Sequence, residues 1–237
     1  MAMLAKNMNA ARAVGARSMR AAPRHVVGAR VPARSLVISH VKSQSAELTI
    51  GMKAPHFKLN DVVSGRAVSV DDFAGSPLLV MFLCVHCPYV VLLKEEIVRV
   101  AQEYGARGFK VVAISSNSTA THPQDGPDKM KEDAAKYGFP FPYLFDESQE
   151  VAQAYTAACT PEFYVFDAAG GLAYHGQFDD ARPKMANSPP VTGRDLRAAM
   201  DAVLAGKPAP KTRPSIGCNI KWAPGKEPTY FGAQVVK

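Results

Sequence analysis

Cysteine is sparse in this chain: Cys84, Cys87, Cys159 and Cys218 are the four among 237 residues. Four thiols cannot staple a domain of this size, which excludes a disulfide-built secreted scaffold and leaves redox or metal chemistry as their use. Long apolar runs are missing too, and none approaches the roughly 20 residues of a membrane-spanning helix. No second Cys or His pair stands at zinc-ligand spacing, which argues against a structural zinc site. Internal repeats and low-complexity tracts are absent after residue 46. The sharpest absence is at the start, where the first 46 residues hold no Asp or Glu but eight Lys or Arg, from Lys6 to Lys42. An Ala- and Arg-rich, acid-free leader without the apolar centre of a secretory signal reads as a disordered organellar transit peptide over residues 1–46. Chloroplast stroma is the expected destination, with the mitochondrion as the alternative because the two kinds of leader overlap in composition. Cleavage is expected in the region from Ser43 to Ala46. Removing the leader's eight cations from the 28 in the chain leaves 20 against 21 acidic residues. The formal charge of +7 therefore belongs to the leader, and the basic pI makes no case for nucleic-acid binding.

What remains has the size of one domain, residues 47–206, followed by a Pro-, Lys- and Gly-rich segment, 207–237, expected to lie over it as an ordered extension. Its most informative feature is Cys84-Val85-His86-Cys87-Pro88. Two thiols three residues apart can close a small disulfide, and a helix N-terminus favours the thiolate that attacks one. The placement supports this chemistry. Residues 78–83 are an apolar run with the character of a buried parallel strand, and Pro88 suits the first helical position, where its missing N–H has no intrahelical partner. Cys87 then falls near the N-cap. Val90, Leu93, Ile97, Val100, Ala101 and Tyr104 recur at helical spacing over 88–104, with Lys94, Glu95, Arg99 and Glu103 marking a wetter face.

Short extended segments are predicted at 57–59 and 68–70, around the turn at Ser64-Gly65. A second buried-type strand over 109–114 completes a strand–helix–strand unit with the motif at its first junction. Residues 116–126 read as a polar loop and 127–137 as a helix stopped by Gly138. Asp146 and Gln149 resemble a capping box opening a helix to about Tyr155. Residues 163–167 and 172–178 read as strands joined by the turn Ala168-Ala169-Gly170-Gly171. Thr192 is expected to cap a last helix ending before Gly206.

Taken in order, Gly51-Met52-Lys53-Ala54-Pro55-His56-Phe57, Phe73-Ala74-Gly75-Ser76-Pro77, the strand with its Cys-x-x-Cys, and Cys159-Thr160-Pro161-Glu162-Phe163 resemble the peroxiredoxin and thioredoxin-like redoxin superfamily. The nearest likeness is to its peroxiredoxin-like branch. The resemblance covers about residues 47–206 and implies an α/β thioredoxin-like fold, a mixed central sheet with helices on both faces. It also implies that Pro161 is cis, that its turn faces the dithiol, and that its backbone pairs with an extended substrate strand. Two departures matter. Aligning Cys87 with the peroxidatic cysteine puts Val80 at the family's Pro and Cys84 at its Thr, and the activating Arg would fall at about Pro161. Counting without gaps from Pro77 instead sets thioredoxin's attacking Cys on Cys87, whereas keeping the Cys-x-x-Cys aligned makes Cys84 the attacker.

The function these residues point to is an organellar thiol-disulfide oxidoreductase with Cys84 and Cys87 as the reacting pair and Cys87 as the thiol of lower pKa. The alternatives are a cysteine-based thiol peroxidase, with Cys84 or Cys159 resolving, and a soft-metal chaperone holding copper with Cys84, Cys87 and His86. Auxiliary positions are His86, Cys159, Thr160 and Pro161. A protonated His86 would favour a neighbouring thiolate; otherwise it is a solvated loop residue. Cys159 is either a relay thiol or a small buried hydrophobe. Cys218 is expected to pack rather than react, and His122, His175, Asp179 and Asp180 have no spacing that demands a site. Expected partners are a protein disulfide substrate or a thioredoxin-type reductant, with no nucleic acid and no membrane span; no cofactor or metal enters the preferred reading.

Overall fold

The run Leu78-Leu79-Val80-Met81-Phe82 has no polar side chain to keep at a surface, and it forms the central strand, buried along its whole length. In the computed structural model, residues 42–211 and 213–232 are described, so the leader expected from composition lies, up to residue 41, outside the described residues. In chain order the elements are β1 (Lys42–Gln44), β2 (Lys58–Asn60), β3 (Ala67–Ser69), β4 (Leu78–Phe82), α1 (Pro88–Ala106), β5 (Lys110–Ser115), α2 (Pro127–Tyr137), β6 (Tyr143–Phe145), α3 (Glu150–Ala154), β7 (Cys159–Thr160), β8 (Glu162–Phe166), β9 (Leu172–Gly176), α4 (Arg194–Leu204) and β10 (Ile216–Asn219).

The main sheet has the order β6-β5-β4-β8-β9. β4, β5 and β6 run parallel, and β8 and β9 are antiparallel to their neighbours, which makes the sheet mixed as expected. Because side chains alternate across a strand, Leu79 and Met81 face one layer while Leu78, Val80 and Phe82 face the other. The first layer packs under α1, α2 and α4 through Val90, Leu93, Ile97, Met130, Leu196 and Met200. Over the second, among the described residues, lie the short α3, the N-terminal loop with Phe57, the β2–β3 hairpin through Leu59 and Val68, and the C-terminal Ile220, Trp222 and Tyr230. Each such aliphatic or aromatic side chain contributes about 1.5–3 kcal/mol when fully buried, so both layers hold the sheet.

Four local expectations are corrected. Lys94 does not lie on a wet face: it is 2% exposed, and its Nζ pairs with Asp133 at 2.7 Å. Thr192 does not cap α4; Gly193, at φ 64°, takes that place, and the Thr192 and Gly193 N–H groups both donate to Asp179 Oδ2. Asp146 does accept from the Ala152 N–H at the start of α3, but Gln149 turns away and donates to the Ser116 and Lys221 carbonyls. Finally, the boundary at residue 46 passes beyond a folded strand. β1 pairs antiparallel with β10, and the Ser45 N–H donates to Ser215 O at 3.0 Å. β10 also pairs with β7, so part of the C-terminal segment is a strand of the domain rather than a cover.

Candidate functional site

β4 ends under the sheet's C-terminal edge, and the chain turns through residues 83–87 into α1. Pro88 occupies N1 and Cys87 the N-cap, with extended φ and ψ of −61° and 124°. The first helical N–H groups have no intrahelical acceptor, so the N-cap sulfur sits where donors and the positive end of the helix dipole converge. Both thiols of the motif are buried, Cys84 at 1% and Cys87 at 0% exposure. All four cysteines are free.

Both sulfurs meet Thr160. Cys87 Sγ lies 3.3 Å from Thr160 O, to which it donates when it is the thiol, and Cys84 Sγ lies 3.4 Å from Thr160 Oγ1. The Thr160–Pro161 peptide is cis, as the resemblance implied. The other implied feature, an open edge for a substrate strand, is not found: β10 of the same chain pairs there, with Cys218 opposite Thr160 and Asn219 opposite Cys159.

The two motif thiols are driven apart electrostatically. Burial pushes the Cys84 thiol well up, and the neighbouring Cys87 and the Asp125 charge push it further. Burial acts upward on Cys87 too, but hydrogen bonds from Cys218, Cys84 and the Val90 N–H favour its thiolate and bring its pKa far below the usual thiol value. Cys218 is shifted upward, first by its hydrogen bond to Cys87 and then by burial. Cys159 is also raised by burial and by Glu162. Its sulfur, fully buried, faces Pro161 O, Glu162 Oε2 and Ser215 O.

Two residues that sequence reasoning left among loops and wet faces shape the motif. Asp125 is fully buried, and its Oδ1 accepts the Val85 and His86 N–H groups at 2.9 and 3.2 Å. Its Oδ2 meets His86 Nδ1 at 2.6 Å and accepts from Asn117 Nδ2 at 2.8 Å. Burial acts to raise the Asp125 pKa, but the hydrogen bonds from His86 and Asn117 outweigh it, and the carboxyl is held below its ordinary value. His86 is therefore not a solvated loop residue; its ring also stacks on His122 at 5.4 Å. Lys94 donates to the Val85 carbonyl at 2.9 Å, holding the other side of the same peptide segment. No local pattern signals either role, because the charged partners, His86 for Asp125 and Asp133 for Lys94, each lie 39 residues away. His175, read as unassigned, pairs with Glu162 at 2.6 Å in the interior.

Among the described residues, the ligand atoms that lie within 4.8 Å of one another belong to Cys84, His86 and Asp125, not to the Cys84, Cys87 and His86 set of the copper alternative. A carboxylate has about four lone-pair sites, and the four donors above already occupy those of Asp125. The arrangement is suited instead to closing and opening a disulfide between adjacent buried thiols, one of them held as a thiolate.

Two solved structures show close likeness. An uncharacterized conserved protein from Geobacillus kaustophilus is 47% identical, covering 78% of this chain and 97% of its own, with a TM-score of 0.75. A hypothetical protein from Sinorhizobium meliloti 1021 is 46% identical, covering 77% and 100%, with a TM-score of 0.74. A thiol:disulfide interchange protein of the thioredoxin family from Chlorobium tepidum TLS, at 20% identity, 67% and 99% coverage and a TM-score of 0.51, shares the fold. Comparison with curated proteins gives no match. The AhpC/TSA family matches residues 50–175, more than half of the sequence. With that match, the mixed sheet and the cysteine pair at the β4–α1 junction, this chain belongs to the AhpC/TSA family within the thioredoxin-like superfamily.

Proposed function

We propose that the protein is a thiol-disulfide oxidoreductase whose reacting pair is Cys84 and Cys87. The observation that carries this is the convergence of both sulfurs on Thr160, with Cys87 favoured as thiolate and Cys84 held as thiol. Cys87 is then the attacking and leaving sulfur, since a low-pKa thiol is both ionised and a good leaving group, and Cys84 resolves the mixed disulfide. Thr160 positions both. Mass spectrometry of thiol-labelled protein equilibrated across dithiol/disulfide buffers tests this. A reversible Cys84–Cys87 disulfide titrating with the buffer is the expected result, and inert thiols would overturn the reading.

The peroxidase alternative draws on the low pKa of Cys87 and on family membership. Against it stand Val80, Cys84 and Pro161 at the positions where the resemblance calls for Pro, Thr and Arg. Arg182, whose charge is felt at Tyr89 and Cys159, directs its guanidinium to Gln177, Asp179 O and Ala181 O. Fast peroxide consumption with Cys87 sulfenate in the same samples would favour that alternative. The acid-free leader supports delivery to the chloroplast, with the mitochondrion as alternative, and a fluorescent reporter fused to residues 1–46 reads out which.

A further inference from the structure

The extension beyond α4 brings a third thiol onto the dithiol. β10 lies so close to β7 that a Cβ on Gly217 would stand 2.1 Å from Thr160 O. Its next residue, Cys218, is opposite Thr160, the residue both motif sulfurs contact. Cys84, Cys87 and Cys218 share one buried cluster, and after burial Cys218 is the strongest influence on the Cys87 thiol, favouring its thiolate. A cavity of about 390 Å³ opens beside α1, and Cys218 is the cysteine on its wall, with Lys42, Tyr89 and Lys184 around it. Cys84 and Cys87 do not line it. β10 also covers the β7 edge, so an extended substrate cannot add a strand at Thr160 while it is in place.

From this geometry we propose that Cys218 is a third redox-active thiol, which exchanges disulfide with Cys87 and passes it to a thiol substrate entering this cavity. The inference rests on the exchange reading of Cys84 and Cys87. Starting from the Cys84–Cys87 disulfide, the Cys218 sulfur attacks Cys87 Sγ. The Cys218–Cys87 bond forms, the Cys84–Cys87 bond breaks, and the proton lost by Cys218 ends on Cys84; no net oxidation occurs. A substrate thiolate from the cavity then attacks Cys218 Sγ and expels the Cys87 thiolate, the good leaving group of the pair. A second substrate thiol attacks the substrate sulfur of the mixed disulfide, releasing Cys218 reduced. The substrate dithiol has become a disulfide, the enzyme disulfide has become two thiols, and the reverse sequence reduces a substrate disulfide. Lys42 and Lys184 at the cavity suit an incoming anion, which a thiolate is.

The test uses the full chain with Cys84→Ser, equilibrated with reduced and oxidised glutathione and mapped by mass spectrometry without reduction. A Cys87–Cys218 linked peptide is the expected result, lost in Cys84→Ser/Cys218→Ser, where Cys87 instead accumulates as its glutathione mixed disulfide. Accumulation of that mixed disulfide in Cys84→Ser itself, with Cys218 still open to alkylation, would overturn the proposal. Circular dichroism checks folding, and Cys84→Ala provides the same trap if the serine variant does not fold. Wild-type protein run alongside separates the two readings. A Cys84–Cys87 disulfide there, without the linked peptide in the variant, removes Cys218 alone; inert Cys84 and Cys87 remove both.

Discussion

At Cys87 burial and hydrogen bonding oppose each other on one sulfur, and hydrogen bonding prevails. A thiol whose folded pKa is depressed below its unfolded value of about 8.5 contributes stability that is complete above that value and lost as the pH falls. Cys84, Cys159 and Cys218 are shifted the other way, so their contributions are complete below about pH 8.5 and lost above it. The stability of the reduced protein is therefore expected to climb toward about pH 8.5 and then fall, with the climb reduced in Cys87→Ser; urea unfolding across pH measures it. Asp125 gives a second residue-scale expectation. Asp125→Ala removes the acceptor of the Val85 and His86 N–H groups, His86 and Asn117. Since each buried group left without its partner costs about 1–3 kcal/mol, a loss of about 3 kcal/mol or more is expected. The milder Asp125→Asn removes a charge that raises the Cys84 pKa, so the Cys84 thiolate is expected to appear at lower pH in ultraviolet titration.

At the scale of elements, α1 is fastened to α2 by a charge pair inside the core. Lys94 bonds both Asp133 and the Val85 carbonyl, so the ion pair that joins two helices also fixes the backbone between the cysteines. Lys94→Met leaves Asp133 buried without its partner, which costs about 3–5 kcal/mol and should loosen the motif. Guanidinium unfolding reads the first effect and faster alkylation of Cys84 the second. β10 is held by contacts of a different kind, at β1 on one side and β7 on the other. Gly217→Val places a side chain where Thr160 O already stands, so β10 should detach. Higher Cys218 alkylation and a shift in Trp222 fluorescence, with the α1–sheet layer retained, are the expected readouts; unchanged protection of Cys218 would count against the pairing.

For the whole molecule, the first strand of the described residues and the last meet at one place. β1 and β10 pair beside β7, so residues far apart in sequence close over the dithiol. Removal of residues 1–46 would take away β1 and, just after it, the Ser45 side chain that accepts from the Ser215 N–H. If a leader is removed, cleavage upstream of Lys42 preserves that strand. Protein starting at Lys42 is accordingly expected to unfold at higher denaturant concentration than protein starting at Glu47, and the intact mass of the protein isolated from its native cells reads whether and where a leader is removed.

Much of this was legible in the residues themselves. The apolar run of β4, Pro88 at the helix start and the 3.6-residue spacing of α1 determine locally that two cysteines stand at a strand–helix junction, because burial periodicity and capping act over a few residues. The ordered motifs likewise carried the fold class and the cis Thr160–Pro161 turn. What the tertiary structure alone decided are contacts between distant segments: Asp125 on His86, Lys94 inside rather than outside, Cys159 turned toward Glu162, and Cys218 against Cys87. A lysine at the margin of a helix stripe is wet or buried according to whether another helix brings it a carboxylate. A cysteine in a Pro- and Gly-rich tail packs or reacts according to which strand it pairs with. Those partners are set by how the sheet and its crossing helices close in space, and no short window of sequence contains them.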